Sequence, residues 1–117
     1  MTSPSYILDV SSARYLVIWE FLVKAESRIS FEKAYGPEGD WVQLFRSSRE
    51  FLGTQLLRDL NQPGRYLTFD NWTSREALVK FKASPHAEYV ELDGSCEVLT
   101  ERENLVGEFE LSGDTCA

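Results

Sequence analysis

A chain of 117 residues, 43% hydrophobic and 26% charged, fits one globular domain long enough to bury a core without covalent staples. Its net charge of −7, with Lys and Arg dispersed, argues against nucleic acid and against an anionic membrane surface, because both need concentrated positive charge. The longest apolar run is far shorter than the about 20 residues that span a bilayer, and no basic region leads into a signal-like apolar segment.

Cys96 and Cys116 supply neither a disulfide framework nor metal-ligand spacing. A reducing, cytoplasmic location is expected, with Cys96 as a small buried hydrophobe and Cys116 as a free tail thiol.

Residues 1–13 are polar apart from Tyr6, Ile7 and Leu8 and read as an N-terminal arm. From about Arg14 to Lys24 the chain reads as a strand that is apolar on both sides. Tyr15, Val17, Trp19, Phe21 and Val23 point one way, Leu16, Ile18 and Leu22 the other, and only Glu20 interrupts. Such a strand is covered on both faces. Glu26 to Tyr35 reads as a helix with Phe31, Ala34 and Tyr35 on one side, Gly36 as its stop and Pro37 just beyond. After the Pro37–Asp40 turn, Asp40 is expected to cap a short helix carrying Trp41, Leu44, Phe45 and Ser48.

Phe51 to Leu60 reads as a second strand, Asn61 to Gly64 as a turn, and Arg65 to Trp72 as an antiparallel return. Thr73 to Glu76 has the form of a capping box opening a helix with Ala77, Leu78 and Phe81 as its apolar stripe. Ser84 and Pro85 start another helix, along which Tyr89, Leu92, Cys96 and Leu99 share a side despite Gly94. Glu103 to Leu111 reads as the last strand, with Leu105, Phe109 and Leu111 on one face, and residues 112–117 as a tail.

This order is that of an α+β, ferredoxin-like unit spanning residues 14–111: a four-stranded antiparallel sheet with helices on one face. The other face is left bare. Pairing two sheets face to face in a symmetric homodimer would cover it.

The motifs from Trp72 to Leu78 and from Ala83 to His86, a strand-ending Trp followed by Ser-x-Glu-Ala and then Ser-Pro-His, resemble the antibiotic biosynthesis monooxygenase family. Tyr35 to Trp41, Phe51 to Thr54 and Pro63 to Thr68 resemble a bacterial branch of it. The resemblance implies a dimeric α+β barrel. It also implies membership of a group that spans cofactor-free oxygenases and haem-degrading enzymes. Quinone-forming members resemble this chain at Trp72, but where they carry an Asn and a Tyr it has Thr68 and Leu78. Haem-degrading members carry a Trp where this chain has Phe81 and an Asn on the first strand, where the nearest polar residue is Glu20. The resemblance therefore disfavours haem degradation.

His86, the lone histidine, is the first candidate for a general base, because a neutral imidazole near a helix start can take a proton from a phenol or enol. Trp72 offers a stacking face and an indole donor at a strand-to-helix junction. Trp19, Trp41, Phe45, Phe69, Phe81 and Tyr89 are candidate walls of an apolar site for a small apolar or aromatic ligand. Glu20, Asp70 and Glu108 are strand carboxylates, any of which could be a buried base or a structural acid. No phosphate-binding glycine loop is present, since Gly36-x-x-Gly39 is too short, and the scattered acids with one His hold no metal motif, so no cofactor is expected.

The expected activity is cofactor-independent monooxygenation of a small aromatic or enolisable compound. The alternatives are a non-catalytic ligand-binding or dimeric interaction module, and an isomerase or decarboxylase on the same fold.

Overall fold

The computed structural model describes residues 15–84 and 87–112. The expected arm, most of the tail with Cys116, and the Pro85–His86 step lie outside the described residues. Strand β1 (Tyr15–Val23) leads through a 3-10 turn at Ala25–Ser27 into helix α1 (Arg28–Tyr35) and a short helix α2 (Asp40–Phe45). Strands β2 (Phe51–Arg58) and β3 (Arg65–Trp72) form a hairpin. Helices α3 (Arg75–Ala83) and α4 (Ala87–Cys96) and a 3-10 turn at Glu97–Leu99 precede β4 (Thr100–Glu110). The sheet runs β2-β3-β1-β4, all antiparallel, which is the ferredoxin-like arrangement.

Local chemistry explains the joints. Gly36 ends α1 in extended conformation, and a side chain there would meet the Glu32 carbonyl at 2.7 Å. Asp59 closes the β2–β3 turn by accepting from the Asn61 and Gln62 amides at 2.8 and 3.1 Å. Gly64 completes the turn at φ +88°, a conformation that favours glycine, and its carbonyl accepts from the Val23 amide at 2.8 Å.

The structure corrects three expectations of detail. Asp40 is the first helical residue of α2, and Gly39 holds the cap position. The cap of α3 is Ser74, whose hydroxyl accepts from the Ala77 amide at 3.1 Å. Thr73 instead ties the strand end to Glu50. The third correction concerns β4, which begins at Thr100. A bulge opposite Ile18 and Trp19 sets Leu105 against Trp19 and Phe109 against Leu16. The extra residue switches the side-chain alternation, so Leu105 and Phe109 lie on opposite faces, and Leu111 follows the strand.

The helix-facing side of the sheet carries two buried clusters. One joins Tyr15, Val17, Phe45, Trp72, Ala77, Leu78 and Phe81. The other joins Phe21, Val23, Phe31, Ala34, Tyr35, Tyr66 and Cys96. Trp19 and Trp41 pack against both. The opposite face presents Leu16, Ile18 and Leu22 of β1 beside Leu67 and Phe69 of β3, all only half buried. Among them runs a polar strip in which Glu20 accepts from Arg65 at 2.6 Å and from Asn104 at 3.2 Å.

Candidate functional site

Between the two core clusters lies a cavity of about 90 Å³. One water needs roughly 10–15 Å³ by this kind of measure, so the space suits several waters or a small organic molecule. The floor is the inner face of the sheet. Alternation along β3 sends Thr68, Asp70 and Trp72 to that face, beside Val17, Trp19 and Phe21 of β1 and Thr54 of β2. Helices α1 and α2 supply Tyr35, Trp41 and Phe45. Leu78 and Lys82 of α3, Tyr89 and Asp93 of α4, and Glu103 of β4 complete the lining.

The walls are mostly rings, and they hold each other in place. Trp41 meets Tyr89 edge-on at 5.3 Å, and Phe45 meets Trp72 edge-on at 5.5 Å. These are favourable aromatic geometries. Trp72 is wholly buried, and its indole N–H has no hydrogen-bond partner among the described residues. An orphaned buried donor costs about 1–3 kcal/mol, which a ligand oxygen reaching it would recover.

Asp70 is the polar centre of the floor. Protein surrounds it, and the cavity leaves its carboxyl partly open. Burial pushes its pKa up from 3.8 to about 6, against a smaller downward pull from the Thr54 hydroxyl and from Lys82. Thr54 donates to Oδ1 at 2.8 Å from the adjacent strand. A carboxyl so placed is ionised at neutral pH yet basic enough to accept a proton. At the other end of the floor, Glu103 is also raised, first by burial and then by the negative charges of Asp93 and Glu97. Burial likewise raises Tyr89 and, more strongly, Tyr35.

The other strand carboxylates differ. Glu20 lies on the far face, held below its ordinary value by its hydrogen bonds from Arg65 and Asn104. Glu108 accepts from the Tyr15 hydroxyl at 2.6 Å and from Arg75 at 2.9 Å, and is lowered by these donors.

The structure brings Trp19, Trp41, Phe45, Trp72 and Tyr89 together around one cavity. Phe81 stands outside the lining and backs Trp72 and Phe45, with ring centroids 5.6 and 5.5 Å away. Phe69 is on the opposite face of the sheet, paired with Ile18, and does not line the cavity. His86 lies outside the described residues. Sequence reasoning left Asp70 unassigned among three acids, although counting back two from Trp72 puts it on the same face. Thr54, Asp93 and Glu103 gave no signal, because they reach the cavity only through strand pairing and helix packing. Among the described residues no group of three or more His, Cys, Asp or Glu side chains is arranged to hold a metal ion. No helix among them is long and apolar enough to cross a membrane.

Comparison with solved structures places the fold among small α+β proteins. SnoaB, a cofactor-independent oxygenase from Streptomyces nogalater, is similar over 88% of this chain and 96% of its own, with TM-score 0.63 and 19% identity. A candidate antibiotic biosynthesis monooxygenase from Deinococcus radiodurans is similar over 88% of this chain and 97% of its own, with TM-score 0.69 and 16% identity. Rv0793 from Mycobacterium tuberculosis is similar over 90% of this chain and 99% of its own, with TM-score 0.61 and 19% identity. No curated protein matches the sequence significantly. The family model for antibiotic biosynthesis monooxygenase matches residues 14–90, most of the domain, and the chain belongs to that family.

Proposed function

We propose that the protein is a cofactor-independent monooxygenase of a small aromatic or enolisable compound, with Asp70 as its general base. The observation that carries this reading is the Asp70 carboxyl, raised by burial to about 6, at the floor of a ring-walled cavity. Family membership and the likeness to the oxygenase SnoaB support the reaction class. Asp70 takes a proton from an activated C–H of the substrate. The resulting carbanion passes an electron to O₂, the two radicals combine to a peroxide, and loss of water leaves a carbonyl. One oxygen atom enters the substrate, the other leaves as water, and a CH₂ group becomes C=O. The substrate is itself the reductant, so the protein has to supply a base, an apolar wall and exclusion of bulk water. Trp19 and Trp41, both half buried in the lining, offer faces to a planar substrate.

We propose further that two copies pair through the outer sheet face. The half-buried Leu16, Ile18, Leu22, Leu67 and Phe69 support this, together with Leu57 and Phe109, which are 41% and 45% exposed. Stable obligate pairs of this kind bury on the order of 2,000 Å² or more.

Oxygen uptake by purified protein, freed of flavin, haem and metal and offered a hydroxyanthrone, tests the activity. Uptake with one product carbonyl per O₂ is expected. Tight binding of such compounds with no uptake would replace this reading with that of a ligand-binding module. Asp70→Asn and His86→Ala, measured side by side, divide the base role. Asp70→Asn should lose activity and His86→Ala should keep it.

A further inference from the structure

The charge around the cavity is one-sided. Among the described residues of the lining, Asp70, Asp93 and Glu103 stand against one basic side chain, Lys82. The influence of Lys82 falls on Asp70 and Glu108, whereas the charges acting on Glu103 are those of Asp93 and Glu97, both negative. Neither Asp93 nor Glu103 forms an ion pair among the described residues. Among the described residues, the Glu103 end is therefore acidic with no cation paired to it.

The same end is where the rings run together. Glu103 pairs with Phe21 in the sheet, and Phe21 meets Tyr35 at 4.9 Å and Trp19 at 6.5 Å. Tyr35 meets Trp41 at 6.1 Å, and Trp41 meets Tyr89 at 5.3 Å. Aromatic faces beside carboxylates are the chemistry that holds an organic ammonium ion, through attraction to the ring quadrupoles and to the negative charge. Asp70 lies at the other end, beside Val17. Val17 and Phe21 are four residues apart on β1, about 13 Å along the strand. Trp19 lies between them, and the wholly buried, unpartnered indole N–H of Trp72 belongs to the Asp70 end.

We infer that the cavity selects a positively charged ligand: an arylalkylamine, protonated at neutral pH, or an aryl quaternary ammonium compound. Its cationic group sits among the rings below Asp93 and Glu103, and its aromatic part points toward Asp70 and Trp72. This names the substrate class of the monooxygenase reading and rests on it for turnover, though not for binding.

A pair of probes that differ in charge alone tests the inference. In 4-(trimethylammonio)phenol and 4-tert-butylphenol the heads have the same shape, and 4-hydroxyphenylacetate serves as the anionic control. Binding is read by calorimetry and by quenching of tryptophan fluorescence at pH 7, where the phenol of each probe is protonated. The cation should bind at least about tenfold more tightly than its neutral isostere, and the anion most weakly. Glu103→Gln and Asp93→Asn, both at exposed positions, should shrink the preference and leave the affinity for the neutral isostere unchanged. Equal or tighter binding of the neutral or anionic probe would overturn the inference, as would failure of the cation to bind at millimolar concentration. Cation preference without oxygen uptake from any compound would keep this inference and discard the monooxygenase. Uptake confined to neutral compounds that also bind best would do the reverse.

Discussion

The two faces of the sheet treat the same kind of side chain in opposite ways. On the outer face Glu20 is ringed by donors: Arg65 at 2.6 Å and Asn104 at 3.2 Å hold it ionised. On the inner face Asp70, one strand away, has one hydroxyl partner and a wall of rings, and burial raises it to about 6. Donors around Glu20 stabilise the carboxylate and remove its basicity. Scarcity of donors around Asp70 preserves basicity at a cost in stability. The inner face is thereby suited to proton transfer, while the outer face, apolar apart from its polar strip, is suited to a partner.

The largest expected effect falls on that contrast. Asp70→Asn should lower kcat/KM by roughly 10²–10⁴-fold, the range a general base contributes. It should also make the protein more stable at pH 8. The folded-state pKa of Asp70 lies above the unfolded 3.8, so the folded chain binds the extra proton. Stability is therefore greatest below about pH 4, falls as pH rises through about 6, and stays lower above that by up to about 3 kcal/mol. Thermal unfolding of the wild type and of Asp70→Asn from pH 4 to pH 8 checks the sign: the variant's advantage should appear only on the alkaline side.

On the outer face, Ile18→Lys should convert a dimer to a monomer in light scattering at micromolar concentration, because it buries a charge in the proposed pairing surface. Retention of the dimer would break the assignment of that face.

Thr54→Val sharpens the comparison further. It removes the donor at 2.8 Å that holds Asp70 down, so the acid limb of the pH–rate profile should move upward while the plateau stays within about threefold. Smallest of all, Glu20→Gln should change the rate by less than about twofold, since its half-buried ion pair with Arg65 lies on the far face and touches neither cavity nor substrate.

Much of this architecture could be read from residue patterns. β3 spans Arg65–Trp72, as its turn and alternation indicate, and the doubly apolar β1 lies in the interior of the sheet between β3 and β4. The bulge in β4 could not be read, because an extra residue in a ladder is set by its partner strand and leaves Leu105, Val106 and Phe109 equally apolar in sequence. The same limit applies to the cavity. Trp72 and the aromatic helix residues announce themselves by size. Asp70 is one acid among several until strand pairing brings Thr54 beside it. Phe69 shows the converse: an aromatic residue of ordinary appearance that alternation sends to the outer face.

The most direct test of the central claim is a carboxyl ¹³C titration of Asp70 and Glu20 in one sample by NMR. The account predicts that Asp70 titrates near pH 6 and Glu20 below 4.5, with the Asp70 transition absent in Asp70→Asn. Titration of Asp70 at or below 3.8 would contradict it, because a carboxyl that acidic in the cavity would be too weak a base for the proton transfer assigned to it.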